Sequence, residues 1–314
     1  DVFTPAAPAD STHTIINQFK PTTIKSTVIN SNITSSEPFT PSFALTLNYG
    51  LGINNSLSNI ESYNKSASGK YDEFDNIYSN DYKFNQLTNQ LGAVFNYRGG
   101  ATTIITFGTR ASAVNFKQID EYTGNVYKRN FINWLPQSRV QYKISPSQTL
   151  SFNYNGNSIQ PTIDQIQPIK INTDPFNIQT GNPNLDPSFS HSFSLGYGKS
   201  EMLKNSSFSL SANYSLTTNA IINNTFTNLT TYVSTINYIN LSGKNPYSYS
   251  LRMYDSQRIK FLGGIHSTVS LSTSGNISYN EINCQLNRNS NHSYSFSLSL
   301  QKEKAKKYSI YASV

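Results

Sequence analysis

The chain has 314 residues, of which 36% are hydrophobic and only 13% are charged. Few charges and many aromatic residues, Tyr 21 and Phe 18, exclude a disordered polyelectrolyte and a flexible linker. Residues that favour pleated strands outweigh the usual helix formers, so the composition predicts an all-β protein. The net charge of +7 comes from scattered basic residues with one dense run at 302–307, and we expect no nucleic-acid partner.

The sequence contains no apolar run of 18 or more residues, so we expect no membrane-spanning helix. A β-barrel wall would escape this criterion, because its strands alternate lipid-facing apolar residues with lumen-facing polar ones. The single cysteine, Cys284, cannot form an internal disulfide and is expected to be a small apolar strand residue.

In chain order, residues 1–41 contain five prolines among Ser and Thr and are predicted to be an extended approach segment or loop. From residue 42 onward, apolar and polar residues alternate, as in the run from Phe43 to Leu51. This alternation predicts eleven strands, at 42–51, 82–97, 102–116, 134–144, 149–155, 189–197, 207–217, 232–254, 261–273, 291–301 and 308–314.

The connections between these strands take turns at being long and short. The long ones are 52–81, 117–133, 156–188, 218–231 and 274–290, and the short ones are 98–101, 145–148, 198–206, 255–260 and 302–307. Outer-membrane barrels have this form, with short periplasmic turns and long external loops. The segment 232–254 contains Gly243 and Pro246 and is kept as one long strand partly to preserve the alternation, so it is not independent support.

The predicted fold is therefore an all-β, antiparallel, up-and-down transmembrane β-barrel. An odd number of strands does not close such a barrel, so we expect residues 42–314 to be a partial wall of a larger barrel of about 22 strands. In 291–301, the apolar residues Tyr294, Phe296, Leu298 and Leu300 should face lipid and the intervening serines should face the lumen. Alternation also suits a soluble sandwich, which leaves a secreted β-rich adhesin as an alternative.

One motif cluster carries a family resemblance. It comprises Trp134-Leu135-Pro136, the run 161–168, Asp174-Pro175-Phe176 and Gly181-Asn182-Pro183-Asn184-Leu185-Asp186-Pro187 before a new strand. The cluster resembles the barrel of TonB-dependent receptors, and more narrowly the outer-membrane β-barrel family of gliding and gut-type Gram-negative bacteria. Ser188 stands where that pattern most often has Glu.

The motif has a physical interpretation as a rigid bend. Gly181 can take positive φ, while Pro183 and Pro187 fix their own φ and push the residues before them toward extended geometry. We expect Gly181, Asn182, Pro183, Asn184, Leu185, Asp186 and Pro187 to position the next strand without touching a ligand. The five prolines between 156 and 188 predict an ordered loop, placed on the extracellular rim because it is a long connection.

Signatures of chemistry are absent. The histidines, at 13, 191, 266 and 292, lack metal-ligand spacing, and Gly198-Lys199-Ser200 lacks the first glycine of a phosphate-binding loop. The acidic group Asp72, Glu73, Asp75 and Asp81 is the best candidate for a cation site, but it lacks the spacing of an EF-hand and is expected to be an exposed loop. We therefore expect no catalytic residue, no cofactor and no metal, and not an enzyme.

The resemblance implies a function. It implies a wall for the uptake of a large nutrient, a plug domain encoded upstream of Asp1, energy from an inner-membrane TonB complex, outer-membrane lipid around the wall and a surface lipoprotein as a candidate partner. The alternatives are a non-transporting outer-membrane barrel that acts as a scaffold, secretion or adhesion component, and an outer-membrane hydrolase.

Overall fold

The computed structural model describes residues 17–166, 170–174, 176–260, 264–304 and 307–314, and most of these residues lie in strands. The described helices are a single turn, α1 (Ile163–Ile166), and one 3-10 turn (Met202–Lys204). No described helix is long and apolar enough to cross a membrane.

Nineteen strands are described. In chain order they are β1 (Gln18–Phe19), β2 (Thr22–Thr40), β3 (Phe43–Ile60), β4 (Tyr63–Lys65), β5 (Tyr71–Phe74), β6 (Asn80–Gly99), β7 (Thr103–Asp120), β8 (Val126–Ser145), β9 (Gln148–Ile159), β10 (Lys170–Asp174), β11 (Asn177–Thr180), β12 (Ser188–Glu201), β13 (Ser206–Thr218), β14 (Ile221–Thr227), β15 (Ser234–Asn240), β16 (Tyr247–Ile259), β17 (Ile265–Ile282), β18 (Gln285–Lys304) and β19 (Tyr308–Ser313).

Twelve of these strands form one antiparallel wall in the order β2-β3-β6-β7-β8-β9-β12-β13-β16-β17-β18-β19. Each wall strand between β2 and β19 pairs with the wall strands before and after it, which confirms the predicted up-and-down antiparallel fold. The sheet is open, since among the described residues β2 pairs only with β3 and β19 only with β18.

The two ends of the wall differ. One end, the short-turn rim, carries tight connections such as 41–42, 100–102 and 146–147. The other end, the loop rim, carries the connections β3–β6, β9–β12 and β13–β16, which contain strands of their own. The hairpin β14–β15 attaches to the end of β17 there, and β11 adds to β15.

Two connections predicted to be long are tight turns, because the strands extend beyond the predicted bounds. In place of the loop 117–133, a five-residue turn follows Asp120, whose carboxylate accepts hydrogen bonds from the Tyr122 and Thr123 amides at 3.0 and 3.2 Å. In place of the loop 274–290, Asn283 and Cys284 form a two-residue turn with φ of 48° and 63°. Cys284 is thus an exposed turn residue and not an apolar strand residue.

Two further segments differ from the sequence prediction. The predicted strand 232–254 is two strands, β15 and β16, separated by residues 241–246 with Gly243 at φ 70°. Residues 22–40, predicted to belong to an approach segment, form the wall strand β2, which is in register with β3 and has a bulge at Pro38. A proline is tolerated at such a bulge because the ladder of hydrogen bonds is already interrupted there.

Strand register sorts the wall into two faces. The outer face, as we name it, carries the apolar positions, which stay aligned from strand to strand: Leu45, Phe95 and Phe107, for example, are register partners, as are Phe152, Leu195, Ala212 and Leu251. Tyr294, Phe296, Leu298 and Leu300 share this face through their partners on β17. The opposite, inner face carries Ser, Thr, Asn and Gln, including Ser293, Ser295, Ser297 and Ser299.

The outer face is both apolar and exposed. Leu91 and Trp134 are 65% and 61% exposed, far from any protein core. Rings stack from strand to strand, with centroids 5.8 Å apart for Phe43–Phe95 and 5.2 Å for Phe95–Phe107. A continuous exposed apolar surface bordered by aromatic residues is what a barrel presents to lipid.

Candidate functional site

The inner face of β2, β3, β6 and β7 contains a polar groove of about 460 Å³. Gly50 and Gly52 have no side chains to fill the groove and form its floor. Its polar lining is Asn30, Asn32, Asn54, Gln86, Thr88, Gln90 and Arg110. Arg110 lies across Gly92, where an added Cβ would come within 2.6 Å of Arg110 Cγ, so this glycine makes room for the guanidinium arm.

A second inner groove, of about 370 Å³, crosses β9, β12, β13 and β16. Its inner-face lining is uncharged: Asn153, Asn155, Ser192, Ser194, Asn213, Ser215, Ser248 and Ser250. Small hydroxyl and amide groups make this part of the lumen wall hydrophilic without placing charge on it.

The charged groups of the inner face are mostly cations. Besides Arg129 near the loop rim, register places six of them there. Arg98, Lys143 and Arg258 lie within two residues of the short-turn ends of their strands, and Arg110, Arg139 and Arg252 lie between the rims. The inner-face carboxylates of the described wall strands are Asp120, beside the loop rim, and Glu303, near the opposite rim. The inner face therefore has a positive potential between the rims.

Near the loop rim, the inner face becomes apolar. Phe84, Val114, Phe116 and Phe131 lie there, with the Phe84 and Phe116 rings 5.1 Å apart. Phe84 and Val114 are 8% and 5% exposed, whereas Lys83, Asn85 and Asn115 beside them on the outer face are exposed. The two faces of β6, β7 and β8 thus exchange character above the apolar band.

The β9–β12 connection covers this apolar inner surface. Ile166, Pro183 and Leu185 of the connection, together with Phe84 and Phe116, line a cavity of only about 30 Å³, which indicates close packing. Leu185 is 2% exposed and Ile166 is 7% exposed. At about 25 cal/mol per Å² of apolar surface, burial of each such side chain contributes about 1.5–3 kcal/mol.

The bend at residues 181–187, near the end of the β9–β12 connection, is held by hydrogen bonds from Arg129, Asn219 and Asn240. Arg129 donates to the Pro183 carbonyl at 2.8 Å and to the Asp186 carboxylate at 2.6 Å. The Asn240 side chain accepts from the Asp186 amide and donates to the Asp186 carbonyl, both at 2.8 Å. Asn219 donates to the Pro187 carbonyl at 3.0 Å, so the bend is anchored to β8, to the turn after β13 and to β15.

Internal contacts of the bend complete this arrangement. Asn182 Oδ1 accepts the Asn184 amide at 3.0 Å, an Asx-turn, and the Asn182 amide donates to the Gln165 carbonyl at 2.6 Å. Gly181 can take positive φ but is not among the glycines with positive φ in the described chain. The bend is therefore shaped by the asparagine side chain and the prolines.

Burial and a nearby charge also perturb Tyr82 beside this surface. Burial against the inner wall is the main reason why the pKa of Tyr82 is raised well above its ordinary value, and the neighbouring Asp120 carboxylate adds to the effect. The phenol donates to Asp120 at 3.4 Å and remains neutral over the physiological pH range.

A comparison with protein families identifies the class of protein to which this wall belongs. Residues 3–314 match the model of the outer membrane protein beta-barrel family. The chain belongs to that family. It is a bacterial outer-membrane protein, and no curated protein sequence matches it.

Solved structures share the fold of this barrel-family protein. The copper transporter OprC matches with a TM-score of 0.56 and 10% identity, over 94% of this chain and 51% of OprC. The FrpB iron transporter from Neisseria meningitidis matches with a TM-score of 0.55 and 13% identity, over 91% of this chain and 41% of FrpB. The chain thus spans about half the length of these transporters, and the likeness shows the fold.

The other residues singled out from the sequence remain dispersed in this family member. His191 and His292 lie on the outer face, each 3.0 Å from a tyrosine hydroxyl, and His266 contacts Ser256, while His13 lies outside the described residues. Asp75 accepts hydrogen bonds from Gln18 and Asn64, and no metal-binding group of three or more His, Cys, Asp or Glu is found in the described part of the chain. The sequence analysis missed the three residues that anchor the bend at the loop rim, Arg129, Asn219 and Asn240.

Proposed function

We propose that this wall is part of a TonB-dependent-receptor-like transporter that takes up a nutrient too large for porins. One observation carries the proposal: a two-faced wall with a polar, cationic inner surface carries, at one rim, a loop that folds onto that inner surface. A passive membrane anchor does not require a loop that packs on the inner face and is anchored at the loop rim by Arg129, Asn219 and Asn240. The likeness of the fold to two metal transporters is consistent with it.

In this proposal, the loop rim faces the cell exterior and the seven motif residues 181–187 have a structural role. Long loops on one rim and tight turns on the other are the arrangement expected for that orientation. The bend directs the chain from the inner surface into β12, and its anchoring to three separate strands or turns keeps the covering loop in one place. A plug domain and an energising TonB complex would come from outside this chain.

Transport is tested by the nutrients that cells remove from the medium. We would compare a wild-type strain, a strain lacking this protein and a strain lacking TonB, and follow the loss of oligosaccharides, peptides and metal chelates by mass spectrometry. Transport predicts a class of large solutes whose removal requires both proteins. If no solute requires both proteins for its removal, the barrel is a scaffold, secretion or adhesion component.

A further inference from the structure

A shallow apolar groove of about 460 Å³ crosses the outer face of the wall from β2 to β8 and is open to the surroundings of the wall. Ile33, Leu47 and Tyr49 line its part on β2 and β3. In its other part, which we call the β7 groove, the floor is made of small side chains, Thr109 and Ala111, which lie between Leu91 on β6 and Trp134 on β8. Ala113 continues the line of small residues toward the loop rim, next to Ile132, while Phe107 ends it in the other direction.

Lysines lie above this groove at a fixed step from the apolar band. On β2, β6, β7 and β8 the outer-face sequence passes from an apolar residue through Asn or Thr to Lys, whereas β3, between β2 and β6, has Leu57 in register with Lys25 and Lys83. These triplets are Ile29-Thr27-Lys25, Leu87-Asn85-Lys83, Ala113-Asn115-Lys117 and Ile132-Asn130-Lys128. All four lysines are exposed. The repetition marks one level of the wall as cationic.

Lys117 and Lys128 are direct register partners across β7 and β8. Like charges in this position repel each other. Lys83 is neutralised by Glu121 at 2.9 Å, but no carboxylate forms an ion pair with Lys117 or Lys128 in the described chain. Asn115 and Asn130 lie beside them in the next register pair, so an anion between the two lysines would also find amide donors.

The distances fit a lipid. Six residues separate Ala111 from Lys117, and six separate Trp134 from Lys128, about 20 Å along each strand. With a strand tilt of about 40°, this corresponds to about 15 Å in height, half the thickness of the hydrocarbon core. A headgroup at the lysines would therefore place an acyl chain in the groove down to the middle of the bilayer.

We propose that the β7 groove and the Lys117–Lys128 pair form a binding site for a phosphorylated lipid of the leaflet next to the loop rim. The phosphate lies between the two ammonium groups, and one acyl chain lies over Ala113, Ala111 and Thr109 between Leu91 and Trp134. The site lies on the face away from the lumen, so it does not depend on the proposed transport function.

The test is native mass spectrometry of the purified membrane protein in neutral detergent, with diphosphoryl lipid A as the probe. Four proteins are compared: wild type, Lys117→Gln/Lys128→Gln, Ala111→Phe and the inner-face control Arg139→Gln/Lys143→Gln. The control removes the same number of charges from β8 alone, on the other side of the wall. The lysine variant should bind about 30-fold more weakly, the equivalent of about 1 kcal/mol for each lysine at an anionic surface.

The Ala111→Phe variant fills the groove and should also weaken lipid binding while leaving the lysines in place, and the inner-face control should bind like wild type. Phosphatidylcholine and inorganic phosphate should not compete. The proposal is overturned if the control weakens binding as much as the lysine variant, if neither outer-face variant changes it, or if inorganic phosphate displaces the lipid. Thermal unfolding in detergent without added lipid A shows whether each variant is folded, because the folding of these proteins does not require lipid A at the site.

Discussion

Replacing Leu195 by arginine tests the assignment of the two faces. Leu195 lies on the outer face, is 43% exposed and has Phe152 and Ala212 as register partners. His191 and Lys199 are the nearest polar residues along the same face of β12, four residues away on either side. Four residues correspond to about 13 Å along the strand, or about 10 Å in height at a tilt of about 40°.

An arginine at this depth can reach the interface only in part, so it should cost about 2–4 kcal/mol of unfolding free energy. That cost changes the folding equilibrium by about 30-fold to several hundredfold. The adjacent Ser194 points to the inner face between Asn153 and Asn213, and Ser194→Arg should cost much less. Leu195 and Ser194 are adjacent in the sequence, but their side chains lie on opposite faces of the wall.

The assay is denaturant unfolding of the protein in lipid vesicles, followed by the fluorescence of Trp134. This residue is the only tryptophan of the chain and lies on the outer face. Equal costs for the two arginine variants, or a larger cost for Ser194→Arg, would refute the assignment of the outer face to lipid.

Three further outcomes are expected. Arg129→Ala should raise the rate of amide hydrogen exchange at residues 181–187, because it removes two charged hydrogen bonds worth about 1.5–3 kcal/mol each, less a reduction for the exposure of Asp186. An unchanged exchange rate would exclude Arg129 as an anchor of the bend. Cys284, at the loop rim, should react with a membrane-impermeant thiol reagent on intact cells, whereas a cysteine at the short-turn rim, Ala101→Cys in a Cys284→Ser background, should react only after the outer membrane is opened. The reverse labelling pattern would mean that the loop rim faces the periplasm. Hydrogen bonds from Lys204 and Lys199 lower the pKa of Glu201, so the stabilisation of the β12–β13 turn is fully present above the ordinary pKa of Glu and is lost as the pH falls through the lowered pKa. An NMR titration of the Glu201 carboxyl that shows no lowering of its pKa would contradict this.

The sequence was sufficient to predict the wall inside the apolar band. There every strand keeps apolar residues on one face, so the period of two is visible in runs such as Phe43 to Leu51 and Phe193 to Tyr197. The rule requires only that one side meets lipid and the other water, and both conditions hold for the middle of each wall strand.

The same rule failed above the band because the pattern changes phase. On β7, the outer face passes from Ala113 to Lys117 while the inner face passes from Ser112 to Phe116. The regular alternation therefore ends there, and its end predicts a loop, as at 117–133. β2 was missed for a related reason, since its apolar residues, such as Val28 and Ile29, do not keep to one face and Pro38 interrupts the strand pattern.

The candidate site was less predictable than the wall. The motif 181–187 is visible in the sequence, but its anchors lie far along the chain: Arg129 is 54 residues from Pro183, and Asn240 is 54 residues from Asp186. Asparagine and arginine are common in exposed strands and turns, so nothing local distinguishes these three from their neighbours. Only the register of the assembled wall brings them to one place.

The cations on the inner face have an electrical consequence. Arg110, Arg139 and Arg252 lie between the rims, and Arg98, Lys143 and Arg258 lie at the short-turn rim, whereas the two inner-face carboxylates of the described wall strands are at the rims. Walls of low dielectric constant concentrate the field of such charges into the aqueous space beside them. Any current carried along this wall should therefore favour chloride over potassium, and the preference should fade as salt shortens the Debye length from about 10 Å at 0.1 M to about 3 Å at 1 M.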